Sequence, residues 1–142
     1  MAEQLSVFME NKPGKIEAVT GALLSAGVNL RGVSIASRGD FGVLKLLPDN
    51  PEKARKALVG QGFTVSTRKV VIAIIDDKPG SLHNLLLVLS KNKININDCY
   101  GISIEREKNA AIVFDIEDAP EAQAVIEKAG IRTLPDKDIH QL

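Results

Sequence analysis

The stretch ENKPGKI, Glu10–Ile16, returns sixty-six positions later as DDKPGSL, Asp76–Leu82. Each copy closes an apolar run and opens a segment whose apolar residues recur at helical spacing. Sliding the chain against itself by 66 positions aligns Met9–Leu30 with Ile75–Ile96 without a gap. Lys12, Pro13, Gly14, Leu23 and Asn29 then fall on Lys78, Pro79, Gly80, Leu89 and Asn95. Between these identities the apolar positions also match, Ile16 with Leu82, Val19 with Leu85 and Val28 with Ile94. Two copies of one fold keep hydrophobic character where burial demands it and let identity drift. Further on the offset becomes 68, since Leu44 pairs with Ile112 and Gly62-Phe63 with Gly130-Ile131. The second copy therefore carries two extra residues around Arg106–Asn109, an insertion that is cheap at a hairpin tip.

Worked outward from the turn, each copy reads as strand, helix, strand, strand, helix, strand. Leu5–Met9 and Val70–Ile75 are strand-like, the second (VVIAII) nearly all apolar. Ile16, Val19 and Leu23, then Leu82, Leu85, Leu86 and Leu89, put an apolar stripe on each first helix. Gly27 can end the first of these helices in a left-handed conformation, while Lys91 and Lys93 complement the dipole at the end of its counterpart. Asn29–Ser37 and Asn95–Glu105 read as strands that turn back at polar tips into Gly42–Leu47 and Ala111–Ile116. Pro51-Glu52 and Pro120-Glu121 open the second helices. Last strands follow at Phe63–Thr67 and Ile131–Leu134.

Right-handed connections fold this order into a four-stranded antiparallel sheet with both helices on one face. The expected class is thus α+β, two tandem ferredoxin-like βαββαβ domains, residues 1–68 and 69–142, joined by a linker Ser66–Lys69 too short to let them separate.

Composition narrows the function. Eighteen basic and eighteen acidic residues cancel, aromatics make up 4% and tryptophan is absent, so neither a charge footprint nor an aromatic platform for nucleic acid is present. No apolar run approaches the roughly 18 residues of a membrane span, and the start lacks the pattern of a signal peptide. A cytoplasmic location is expected, without membrane attachment. The single cysteine, Cys99, has no partner for a disulfide or zinc site and is expected in the core as a small apolar residue. His83 and His140 lack metal-ligand spacing, and Asp76 and Asp77, adjacent at a strand end, point to opposite sides. No nucleophile and base pair up, so no enzyme, cofactor or metal is expected.

Both Lys-Pro-Gly turns stand where a strand ends and a helix begins, a place where amide N–H groups and the positive helix end suit a carboxylate. Gly14 and Gly80 leave the approach clear, although Pro-Gly before a helix is also a sufficient turn and start signal by itself. Asn29 and Asn95 lie in apolar-Asn-apolar triplets after the helix; each amide can contact a ligand or satisfy loop backbone.

The polar-x-Pro-Gly-x-apolar turn, followed by a helix and then Gly-Val-Asn-Leu or Lys-Ile-Asn-Ile, resembles the ACT domain, and its duplication resembles a small stand-alone tandem-ACT protein. The resemblance implies a regulatory module that binds a small amino acid or related metabolite between two ACT units. The turn of one unit would face the helix-to-strand segment of its neighbour. It carries the turn contacts to Asn11, Pro13, Gly14, Lys15 and Ile16, and to Asp77, Pro79, Gly80, Ser81 and Leu82. The facing contacts fall on Asn29 and Leu30, and on Asn95 and Ile96. Met9 and Ile75 stand where a serine-binding version of the pattern has histidine. The expected assembly is a homodimer, and the alternative function is that of a regulatory subunit of a separate amino-acid biosynthetic enzyme.

Overall fold

The computed structural model describes residues 1–102, 104 and 108–141. It divides into two compact units, Glu3–Arg68, and Lys69–Leu142 together with Met1–Ala2.

In the first unit β1 (Ala2–Glu10), α1 (Lys15–Ser25), β2 (Leu30–Arg38), β3 (Phe41–Pro48) and α2 (Pro51–Gly60) lead into β4 (Thr64–Asp76), with strand order β2-β3-β1-β4. Leu46 lies opposite Leu5 on one side and Val33 on the other, and Leu44 lies likewise between Val7 and Ile35. Directly opposed residues of an antiparallel sheet share a face. Leu5, Val7, Met9, Leu44 and Leu46 therefore form one apolar face, and Val19, Leu23, Ala54 and Leu58 of the two helices close over it.

The second unit repeats this plan with α3 (Ser81–Lys91), β5 (Asp98–Ile102), β6 (Asn109–Asp115), α4 (Ala119–Lys128) and β7 (Arg132–Thr133). β6 and β7 flank β4 and β5 lies outside β6, all pairs antiparallel. Val71, Ala73 and Phe114 face Leu85, Leu89, Ala122 and Ile126. The α+β, ferredoxin-like plan expected from the sequence is the one observed.

Sequence and structure part at several points. Ser66–Lys69 is no loop linker: β4 runs unbroken over Thr64–Asp76, and the boundary between units falls inside it. Nothing in Ser-Thr-Arg-Lys opposes extended backbone, and Thr favours it. The second strand of the second copy begins only at Asp98, leaving Asn95–Asn97 outside it, while Ser103 and Glu105–Glu107, with most of the inserted tip, lie outside the described residues. Cys99 is exposed, not core. It opposes Phe114 on the helix-covered side, but from edge strand β5, where Val33 in the first copy is likewise 54% exposed. The tail forms a 3-10 helix at Asp136–Gln141 in which Ile139 is buried.

All four helices end alike. After α1, α2 and α4 the residue past the cap is Gly27, Gly62 or Gly130, each at positive φ. Gly27 donates to the carbonyl of Leu24 and Val28 to that of Leu23, the paired bonds of a Schellman ending. After α3 the same two bonds run from Lys93 to Ser90 and from Ile94 to Leu89. Lys93 is thus the left-handed residue, at φ 58, the single non-glycine with positive φ among the described residues. The lysine read as a dipole partner holds a strained backbone position instead.

Candidate functional site

The repeated motif is a type II turn in both copies. Lys15 donates its N–H to the carbonyl of Lys12 and Ser81 to that of Lys78, each at 3.3 Å. The third residue of such a turn needs positive φ, and Gly14 (φ 84, ψ −8) and Gly80 (φ 89, ψ −15) provide it after a proline that fixes the second. The glycines are therefore required by backbone conformation, beyond leaving an approach clear.

The turn also leaves the helix start open. Asn50 caps α2 and Asp118 caps α4 through their side chains, whereas α1 and α3 have no side-chain cap. Beside those uncapped amides each first helix exposes its first apolar residue, Ile16 by 40% and Leu82 by 41%. The stripe expected to be buried starts lower, at Val19 and Leu85. Both turns thus offer the same pair of features, free-standing N–H groups and an apolar side chain in water.

Their electrostatics differ. In each copy the turn lysine folds back on the last strand residue, Lys12 on Glu10 at 2.7 Å and Lys78 on Asp76 at 3.4 Å. Lys12 above all, then Lys15, holds the Glu10 carboxyl below the usual carboxylate range, and Glu10 raises Lys12. With that pair neutralised, the first turn keeps the charge of Lys15 and the second that of Asp77. Asn11 is anchored: its N–H donates to the Asp40 carbonyl and its Nδ2 to the Gly39 carbonyl, tying the turn to the β2–β3 tip. Asp77 keeps only the backbone half of that arrangement, to Lys108, because a carboxylate has no N–H to give.

Asn29 and Asn95 lie at the other end of the first helices. The Asn29 N–H donates to Asp49 Oδ1 and its carbonyl accepts from the Asp49 N–H, so its backbone is satisfied and its side chain is exposed. Asn95 Nδ2 reaches Asn97 Oδ1 at 3.4 Å. Leu30 and Ile96 pack partly against their own cores. Eleven residues of helix separate turn from asparagine, about 16 Å of rise, so no single unit brings the two halves together. Lys15 borders a hollow of about 510 Å³ with Phe8 and Phe63, and Asn95 borders two others, of about 460 and 420 Å³, each shared with Lys93. Sequence reasoning passes over Phe8 and Phe41, whose signal is aromatic residues at strand positions with non-aromatic counterparts, and reads Lys93 only as a dipole partner.

A duplicated ferredoxin-like unit with an uncapped Pro-Gly helix start in each copy defines a class of small α+β proteins. The chain belongs to the ACT family: residues 1–142 match the ACT domain pair. Among solved structures it is similar to a protein of Bacteroides thetaiotaomicron, with 31% identity over 99% of this chain and 96% of that one, at a TM-score of 0.92. It shares its fold with the regulatory subunit of aspartate kinase from Thermus thermophilus (16% identity, 89% of this chain and 91% of that one, TM-score 0.67). The same holds for the subunit from Thermus flavus (16%, 90% and 92%, TM-score 0.60). No curated protein matches the sequence. No described helix is long and apolar enough to cross a membrane, and no metal-ligating cluster of His, Cys, Asp and Glu occurs among the described residues.

Proposed function

We propose that this chain is a non-catalytic, cytoplasmic regulatory protein that binds a small amino acid or related metabolite where one ACT unit meets another. The observation that carries the reading is the pair of uncapped helix starts, each set by a type II turn and flanked by an exposed apolar residue, Ile16 or Leu82. Amides at a helix start favour a carboxylate, and an apolar neighbour favours a ligand that also has carbon to bury. Since turn and asparagine segment occupy opposite ends of one helix, the ligand spans two units. Asn11, Pro13, Gly14, Lys15 and Ile16, or Asp77, Pro79, Gly80, Ser81 and Leu82, would hold it from one side. Asn29 and Leu30, or Asn95 and Ile96, would hold it from the other. Binding then biases how units associate, which is how a site without chemistry has a regulatory effect.

Edge strand β2, with Val33 and Ile35 exposed, supports association of two copies into a homodimer. The fold shared with aspartate kinase regulatory subunits supports a second reading, that the chain serves as such a subunit for a separate biosynthetic enzyme.

The test is thermal unfolding of the purified protein against each of the twenty amino acids at millimolar concentration. A ligand at about 100 times its dissociation constant stabilises the native state by roughly 2.7 kcal/mol, a shift of several degrees. No shift with any amino acid refutes amino-acid sensing. Recovery of a stoichiometric enzyme in a pull-down, with its feedback response altered when this chain is removed, separates the second reading from the first.

A further inference from the structure

The following inference rests on the regulatory reading above and names the class of ligand for the first turn. Of the chain's four phenylalanines, Phe114 fills the core of the second unit. The other three, Phe8, Phe41 and Phe63, border a single hollow of about 510 Å³ in the first unit, and Glu10 and Lys15 stand on its rim. Three separate segments deliver them: Phe8 from β1, Phe41 from the start of β3, and Phe63 from the residue after Gly62 at the end of α2. Phe8 is 48% exposed and Phe41 67%. Two large rings left in water beside one hollow point to an occupant, and the hollow falls in the range of about 300–1,000 Å³ typical of small-molecule sites.

The fold itself does not ask for these rings. Glu10 lies opposite Phe41 as Asp76 lies opposite Asn109, so the sheet register makes Asn109 the counterpart of Phe41. Phe8 and Phe63 correspond to Ile74 and Ile131, and Lys15 to Ser81. The same architecture is therefore built in the second unit without an aromatic residue or a cation at any of these positions. In the first unit Lys12 contacts one oxygen of the Glu10 carboxylate, Oε2, while no carboxylate lies within 4 Å of the Lys15 ammonium among the described residues.

We infer that the first unit binds an amino acid with an aromatic side chain, its ring among Phe8, Phe41 and Phe63, its carboxylate on Lys15 and its ammonium toward Glu10. Offset or edge-to-face packing of rings adds to simple burial, and Lys15 supplies an anchor that the second turn lacks.

The experiment is calorimetric titration of the full chain with L-phenylalanine, glycine, L-lysine and 3-phenylpropionate, repeated with Phe41→Ala, Lys15→Gln and, as a control far from the hollow, Leu24→Ala. L-phenylalanine is expected to bind. 3-Phenylpropionate, which lacks the ammonium, should bind about tenfold more weakly, and glycine and lysine not measurably. Phe41→Ala and Lys15→Gln should each weaken phenylalanine by about tenfold or more and Leu24→Ala should leave it unchanged. Phe41 is largely in water and Lys15 half-buried, and a thermal melt of each unliganded variant near wild type shows that the loss is not one of folding. Phenylalanine binding that is indifferent to Phe41 and Lys15 overturns the assignment. Binding of small or charged amino acids in its place also overturns it while leaving the regulatory reading standing, and no binding of any amino acid defeats both.

Discussion

Replacing glycine by alanine at two positions seven residues apart, Gly14 and Gly21, should change stability in opposite directions. Gly14 sits at φ 84 with nothing within 4 Å of where a Cβ would stand, so an added methyl meets no atom and the whole effect is conformational. Holding an L-residue at such a φ costs about 1–2 kcal/mol, offset in part by about 0.4–1 kcal/mol from the stiffer unfolded chain. A net loss of about 1 kcal/mol results. Gly21 lies inside α1, without positive φ and also with open space around it. Alanine there should gain about 0.8–1 kcal/mol of helix propensity. In a unit of this size each kcal/mol moves the melting temperature by about 4–8 °C, so the variants should separate by roughly 10 °C about the wild type. Urea unfolding followed by circular dichroism gives the same comparison, with the midpoint moving and the slope fixed. A Gly14→Ala protein as stable as wild type would refute the type II turn, and with it the reason the Pro-Gly pair recurs. The same strain makes Gly14 and Gly80 poor places to probe binding, since any larger residue there perturbs the backbone before it meets a ligand.

Two further outcomes follow from the described geometry. Burial first, then the carboxylates of Asp98 and Asp115, pushes the Tyr100 hydroxyl above its ordinary range. A raised folded value means stability that is complete below the unfolded value of about 10 and is lost as the pH climbs past it. Tyr100 is the sole tyrosine in a chain without tryptophan, so absorbance at the tyrosinate band reads it alone. The native protein should show no tyrosinate at about pH 11 while the urea-unfolded chain titrates near 10, and a native midpoint near 10 would sink the reasoning. At the end of α3, Lys93→Gly relieves the φ 58 strain and should raise stability by about 0.5–1 kcal/mol, with Gly27→Ala at the matching place lowering it by a similar amount; equal signs in thermal melts would count against the Schellman assignment.

Much of this was legible because repetition multiplies weak signals. One Pro-Gly pair before an apolar stripe is an ordinary turn; two, with Val19/Leu85 and Leu23/Leu89 kept in step, fix strand, turn and helix in both copies. What stayed hidden depended on neighbours far along the chain. Cys99 was assigned to the core from its residue type, but edge position decides exposure, and that comes from which strand β5 pairs with on its other side. Ser66–Lys69 stands in the sequence as a linker between two strands, Phe63–Thr67 and Val70–Ile75, and only the fold shows one strand running through it. The anchoring of Asn11 is likewise illegible in sequence, because its Nδ2 donates to the Gly39 carbonyl twenty-eight residues away. The glycine of the turn was credited with leaving room, and positive φ proves the stronger demand.

The duplication has a physical logic on the proposed reading. One unit offers two half-sites at the two ends of a helix about 16 Å long, and neither half completes the other. Copying the unit within one chain supplies each turn with a potential partner segment at a fixed ratio, and it frees the two turns to diverge. They have diverged in a specific way: matching backbone turns and lysine-to-carboxylate contacts, with Lys15 and three phenylalanines around one and Asp77, Ser81 and non-aromatic counterparts around the other. Stability explains the shared part, since each turn must start a helix whose next residues, Val19 or Leu85, are fully buried. It does not explain the difference, because Asp77, Phe8 and Phe41 are exposed, Lys15 is only half-buried, and the fold is built equally well with either set. On the proposed reading, residues that differ between copies where folding is indifferent are where a difference in ligand would be written, and the specificity would then lie at the first turn.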